Sequence, residues 1–338
     1  MRTLRKSLCL AAASLLTASA AAGQNAPEKK WYDSVTVKGY IQFDTIFPEG
    51  KSRYGDVSNF RIRRGRPTIE AQLDPLTMAK LQLDISTGQA GSGASSAFVV
   101  DTWIQRKLPG LGYVRAGQML LPFGREVHDD NAAIRSPLEL SHAANALALA
   151  EYDIGVMLGS QVPENQPFHW EFGFYNGQGL RSADANSNKT WVGRVAAYLH
   201  PKFRMGMSGM IGTFRDTSTG GTKRNYDRHV LGVEMSAPIC REAKLSGELY
   251  NARFVDSVTA PTKQVRFTGG YLMWEGWIGD WKSIPFLRYE RTYGGLDYSA
   301  IDLGWRYQYA PNQRLTAEYD IVKGARNDSF GVRWQIGF

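Results

Sequence analysis

Ser329-Phe330-Gly331-Val332-Arg333-Trp334-Gln335-Ile336-Gly337-Phe338 closes the chain, and its residues alternate without a break. Phe330, Val332, Trp334, Ile336 and Phe338 fall on one side, with Gly331, Arg333, Gln335 and Gly337 on the other. A period of two is a β-strand. In a soluble sandwich, the alternative, such a strand would leave an apolar edge that templates aggregation. A closed barrel in lipid resolves this, because the strand pairs with the first one and its apolar side meets acyl chains. The stretch therefore predicts the closing strand of a transmembrane barrel.

The same rhythm runs back through the sequence. Val35, Val37, Ile41 and Phe43 alternate with polar neighbours, as do Ile69, Ala71 and Leu73 against Arg64, Arg66, Thr68, Glu70 and Gln72. Phe60 and Ile62 are out of phase with that second set, which predicts a bulge near Arg63-Arg64. Trp170, Phe172 and Phe174, then Trp191 and Val195, then Met205, Met207 and Ile211, then Ile301, Leu303, Trp305 and Tyr307 form further lipid-facing rows. Residues 265–277 have no readable phase. Short turns alternate with longer polar loops, the mark of tight periplasmic turns and larger outside loops. The fold class is all-β: a transmembrane up-and-down antiparallel β-barrel of about 16 strands. Roughly 20 residues per strand and connection leave no room for a second domain.

Residues 1–22 combine Arg2, Arg5 and Lys6 with an apolar run and a stretch of small residues, the pattern of a secretory signal peptide; the barrel domain then takes 23–338. The apolar run is shorter than the ~20 residues a spanning helix needs. Removing the peptide leaves Cys240 as the sole cysteine, so no intrachain disulfide is expected. The formal charge of +8 becomes +5 without those three cations, and no clustered basic face argues for nucleic acid. Sixteen Tyr, fifteen Phe and nine Trp suit aromatic girdles at two membrane interfaces.

Several motifs carry a resemblance. Phe60-Arg61-Ile62-Arg63-Arg64-Gly65-Arg66 is similar to the arginine-rich second strand of the phosphate-selective porin O and P family. Val100-Asp101-Thr102-Trp103-Ile104, Arg115-Ala116-Gly117-Gln118 and Pro122-Phe123-Gly124 resemble its fourth and fifth strands and the entry to its third loop. Phe174-Tyr175-Asn176-Gly177-Gln178-Gly179 and Gly193-Arg194-Val195 resemble later strand ends. The resemblance implies a homotrimeric, 16-stranded channel in the outer membrane of a Gram-negative bacterium, with the third loop folded into the lumen. It also implies that Phe338 is read by the outer-membrane insertion machinery. The partners are then outer-membrane lipids and small anionic solutes taken up passively, phosphate among them.

A wide barrel encloses water, and charge rings set what passes. Lys38, Arg61, Arg63, Arg64, Arg66, Lys80, Arg115, Arg194 and Arg333 are the candidate pore-lining cations that steer anions. The loop at 120–150 is the candidate constriction, since loops of about 30 residues are uncommon unless functional or disordered. It carries Arg125 and Arg135 but no Lys, and Glu126, Asp129, Asp130 and Glu139 oppose them. That departs from a lysine- and arginine-rich phosphate constriction. Its segment 143–150 is apolar and helix-prone, as if packed against a wall. The alternative is a general diffusion porin whose lumen charges merely pair across strands. A barrel enzyme would need a nucleophile with a base in reach. Only Ser141-His142 sets a serine beside one of the five histidines, and no acid–histidine spacing suggests a metal. No cofactor is expected. A structural or adhesive barrel is the remaining class.

Overall fold

The computed structural model describes residues 31–338 apart from 88–95, 130–131, 148–151, 161–166, 181–186, 201–202, 216–224, 256–263, 280–281, 295–296 and 325–326. The expected signal peptide at 1–22 lies outside the described residues. The strands are β1 (Ser34–Pro48), β2 (Asn59–Asp74), β3 (Thr77–Thr87), β4 (Ser96–Leu108), β5 (Gly112–Leu120), β6 (Tyr152–Gly159), β7 (Phe168–Tyr175) and β8 (Thr190–His200). There follow β9 (Phe203–Arg215), β10 (Asn225–Cys240), β11 (Ala243–Val255), β12 (Gln264–Gly276), β13 (Ser283–Gly294), β14 (Tyr298–Ala310), β15 (Gln313–Lys323) and β16 (Ser329–Gly337). Each strand pairs antiparallel with its sequence neighbours, and β1 pairs with β16 to close the barrel. Two short helices, α1 (Arg125–His128) and α2 (His142–Ala146), lie between β5 and β6.

The terminal stretch behaves as its alternation requires. Phe330, Trp334 and Phe338 are exposed, whereas Ser329, Gly331, Arg333 and Gln335 are buried. Phe43 faces Trp334 and Asp44 faces Arg333 across the seam. The seam ends in two backbone bonds, Gly39 N–H to the Phe338 carbonyl at 2.9 Å and Phe338 N–H to the Gly39 carbonyl at 2.9 Å. A Cβ at Gly39 would lie 2.6 Å from the Arg66 carbonyl oxygen and 2.7 Å from Phe338 Cζ. Gly39→Val should therefore displace the Phe338 ring and loosen the seam. Folded, heat-modifiable protein on an unboiled detergent gel should fall severalfold; a wild-type yield would show that the seam tolerates the branch.

The bulge appears where phase predicts it. Gln42 pairs with Arg64 and Phe43 with Ile62, so Arg63 is the extra residue. The irregularity sends both Arg63 and Arg64 toward the third loop inside the barrel, where strict alternation would send only one. On β12, the strand without readable phase, Phe267, Tyr271, Met273 and Glu275 are buried while Leu272 and Trp274 are exposed. Its inward side is largely apolar, which blurs the usual wet–dry contrast.

The reason is a hydrophobic core inside the barrel. Leu121, Phe123, Val127, Leu140, Ala143, Ala144 and Leu147 of the β5–β6 loop pack with Met119, Met157, Tyr175, Val192, Met210, Val230, Tyr250 and Phe267 of the wall. Burying such side chains stabilises by about 1.5–3 kcal/mol each for the larger ones. The third loop is thus held inside the lumen by an apolar contact, consistent with its expected inward fold.

Candidate solute passage

The loop at 121–151 enters the lumen through Gly124, whose φ of 65° suits glycine. A Cβ there would come within 2.5 Å of Glu248 Oε2. The Gly124 amide donates to Ser208 Oγ at 2.9 Å, and the Glu126 amide donates to Glu248. Further along, the Leu138 amide donates to Glu318 at 2.7 Å and the His142 amide to Glu290 at 2.6 Å. Wall cations grip the loop carbonyls in turn. Arg288 donates to Glu139 O and Arg314 to Ala132 O, each at 3.2 Å, and Arg333 donates to Leu138 O. Wall acids hold loop amides and wall arginines hold loop carbonyls. A loop without regular structure has its backbone groups satisfied this way rather than by water.

The β1–β2 loop adds a clamp that sequence reading missed. Arg53 donates to the Leu140 carbonyl, and Tyr54 donates to Glu318 at 3.1 Å. Tyr54 also packs with Ile46 and Leu138 in a second buried cluster. The polar composition of 49–58 gives no hint that two of its side chains turn inward.

The arginine run of β2 is heavily compensated. Arg61 meets Asp44 at 3.2 Å, and Arg333 meets the same carboxylate at 2.7 Å. Arg63 at 2.6 Å, Arg64 at 3.0 Å and Arg333 at 3.0 Å converge on Glu139 of the third loop. Burial pushes the Glu139 carboxyl up, and the guanidiniums of Arg63, Arg64 and Arg333 outweigh it, holding the group well below the usual carboxylate range. Glu139 is thereby the hub joining loop to wall, a role its position in the sequence did not reveal.

The other loop candidates also sit in the anchor. Glu126 pairs with Arg288 at 2.8 Å and accepts the Ser141 hydroxyl at 2.6 Å. Asp129 pairs with Arg194 at 2.8 Å, and Arg194 also reaches Glu234 at 2.8 Å. Arg125 and Arg135 are both buried, Arg135 donating to the Glu126 carbonyl at 3.3 Å. Asp130 lies outside the described residues.

Open space remains nearer the short turns, between the loop and the wall formed by β1 to β6. This cavity measures about 630 Å³. Lys38, Arg66, Lys80 and Arg115 line it, against Glu70 and Asp101 among its described lining residues. Lys38 pairs with Glu70 at 2.8 Å and Lys80 with Asp101 at 2.8 Å, and Arg66 leans on the buried Asp84 at 2.6 Å. Arg115 differs. Gln105 Oε1 accepts from it at 2.7 Å, and its guanidinium lies 4.3 Å from the Trp103 ring centroid and 5.1 Å from that of Tyr113. No described carboxylate pairs with it. Of the nine candidate wall cations, four therefore line open space, while Arg61, Arg63, Arg64, Arg194 and Arg333 belong to the compensated anchor.

Comparison with known proteins agrees with this architecture. The family model described as "Phosphate-selective porin O and P" matches residues 35–234. Comparison with curated protein sequences gives no match. Among solved structures, the outer membrane channel DcaP of Acinetobacter baumannii superposes with a TM-score of 0.67 at 11% identity, covering 94% of this chain and 100% of that one. The anion-selective porin from Comamonas acidovorans gives 0.66 at 16% identity, covering 90% and 99%. A loop-deletion mutant of OmpT, an outer membrane protein of Vibrio cholerae, gives 0.64 at 14% identity, covering 90% and 99%.

Proposed function

The chain belongs to the phosphate-selective porin O and P family, and we propose that its lumen favours small anions through Lys38, Arg66, Lys80 and Arg115. It is an outer-membrane porin, and diffusion through its water-filled lumen needs no chemistry from the protein. The observation that carries the proposal is the balance around the open cavity: four permanent cations against two carboxylates, with Arg115 facing no described acid partner. Positive charge beside a low-dielectric wall attracts anions more strongly than in bulk water. A guanidinium also matches the oxygens of phosphate or carboxylate, so Arg115 and Arg66 are the stations for phosphate.

The ion pairs Lys38–Glu70 and Lys80–Asp101 favour a second reading, a general diffusion porin with a nearly balanced lumen. Planar-bilayer reversal potentials in a potassium chloride gradient separate the two. A severalfold anion preference, with chloride current reduced by added phosphate, is the expected result. A cation preference, or a phosphate-insensitive current, would leave only the general pore. We further propose that the protein works as a homotrimer, that residues 1–22 direct its export, and that the insertion machinery recognises the end of β16 at Phe338. Deleting Phe338 with synthesis unchanged tests that last step, and normal outer-membrane levels would refute it.

A further inference from the structure

The third loop brings one ionisable side chain to the open cavity. His128 and Ala133 are its members among the described lining residues, and the His128 side chain, at the end of α1, is 21% exposed. Both ring nitrogens are engaged. Nε2 lies 2.7 Å from Glu171 Oε2 of β7. Nδ1 lies 2.9 Å from Asp129 Oδ1 and 3.1 Å from Arg194 Nη1 of β8. Those last two contacts make opposite demands: Asp129 needs a proton on Nδ1, whereas Arg194 needs a lone pair there.

Each demand belongs to one charge state. With its proton on Nε2, towards Glu171, the neutral imidazole accepts from Arg194 at Nδ1. The imidazolium gives its second proton to Asp129, and Arg194 keeps its bonds to Asp129 and Glu234, each at 2.8 Å. The ring thus has partners in both states without moving. Beyond these contacts, Arg204 of β9 pairs with the same Asp129 and, at 2.7 Å, with Glu234 of β10. Tyr113 of β5 donates to Glu171, and His169 Nε2 stands 3.7 Å from that carboxylate with its Nδ1 2.9 Å from Ser160 Oγ. Arg115 lines the same cavity from β5, and Arg125 of α1 is buried. Asp129, Glu171 and Glu234 therefore meet Arg194 and Arg204 around the ring. Among these described groups, the second imidazole proton decides whether the balance is one negative charge or none.

We propose that His128 is a specificity-determining residue of the passage, presenting a cation to permeating anions in mild acid and a neutral ring in mild alkali. The proton comes from lumen water and returns to it. Histidine is the side chain that changes charge between about pH 5 and 8. That window lies above the acid range in which Glu139 loses its charge, so Glu139 keeps holding the loop while the charge facing the solute changes. The proposal rests on the cavity being the ion path, and the two readings fail separately. Absolute preference judges the cations of the wall; its shift with pH judges His128.

Planar-bilayer reversal potentials of the porin in a potassium chloride gradient, read at about pH 8 and about pH 5.5, test the proposal. A unit charge ~8 Å from the ion path changes ion preference by about twofold even at bulk dielectric. The anion-to-cation ratio should therefore rise at least about twofold in the acid. His128→Gln should abolish the rise and hold the ratio low at both pH values. His128→Lys should hold it high at both, and His169→Gln should keep the wild-type rise. Heat-modifiable migration checks that each variant forms a barrel. Four results would overturn the proposal: a wild-type ratio that stays level or falls in acid; a rise that survives in folded His128→Gln; a folded His128→Lys no more anion-preferring than His128→Gln; or a rise lost in folded His169→Gln, which would move the proton to the other histidine.

Discussion

Replacing Glu139 with Gln should turn the most compensated region of the lumen into its most positive one. The carboxylate takes charge-assisted bonds from the half-buried Arg63 and the buried Arg64 and Arg333 at 2.6–3.0 Å. An amide of the same shape keeps one acceptor and removes the negative charge. Breaking a buried pair by removing one partner typically costs about 3–5 kcal/mol, because the other charge stays unpaired. Here three guanidiniums share the loss. Two readouts should move together: a severalfold rise in anion preference, and a lower temperature at which the folded band on an unboiled gel is lost. Unchanged selectivity and unchanged thermal loss would remove Glu139 from its place as the hub.

The same group sets a pH dependence whose sign is fixed. Because the folded Glu139 carboxyl lies well below its ordinary value of 4.5, its contribution is fully present above that value. It is lost as pH falls below 4.5 and through the depressed folded value, since the unfolded chain then binds the proton more readily. The Glu139 contribution to loop anchoring should therefore be steady from pH 7 to pH 5 and change only in stronger acid. The Glu139→Gln variant should lack that acid component.

What the sequence made legible was whatever a period of two could encode. The β16 alternation, the strand number and the bulge at Arg63 all follow from which residues must meet lipid, and the structure has them in place. The inner side was harder to read because it is not uniformly wet. Phe267, Tyr271 and Met273 are buried on the inward side, Phe267 in the core with the third loop, so the strand that bears them shows no polar face. The same loop explains why the arginine run of β2 misled. Arg61 to Arg66 look like an exposed basic ladder until Asp44 and Glu139 arrive from positions distant in sequence. Alternation says which side a charge faces, but its partner comes from the tertiary fold. Lys38, Lys80 and Arg115 were found by alternation alone, whereas the Trp103 platform under Arg115 needed the register of β4 on β5.

That difference makes Arg115 the position where one substitution should act most directly on permeation. Arg115→Ala removes a cavity-lining cation while leaving every described ion pair of the lumen intact, because Gln105, Trp103 and Tyr113 are its described partners. A unit charge ~8 Å from the ion path contributes about 0.5 kcal/mol at bulk dielectric and about 2 kcal/mol at an effective value near 20. With about 1.4 kcal/mol per tenfold, anion preference should fall between about twofold and about thirtyfold. Combining it with Lys38→Ala leaves Arg66 and Lys80 against Glu70 and Asp101 in the cavity lining, and the reversal potential should then fall close to that of a nonselective pore. Arg64→Ala provides the contrast, since Glu139 keeps Arg63 and Arg333 as partners and the guanidinium removed was already neutralised. Its effect on selectivity should be smaller than that of Arg115→Ala. If the order is reversed, anions follow the β2 arginines past the third loop and not the wall that carries Arg115.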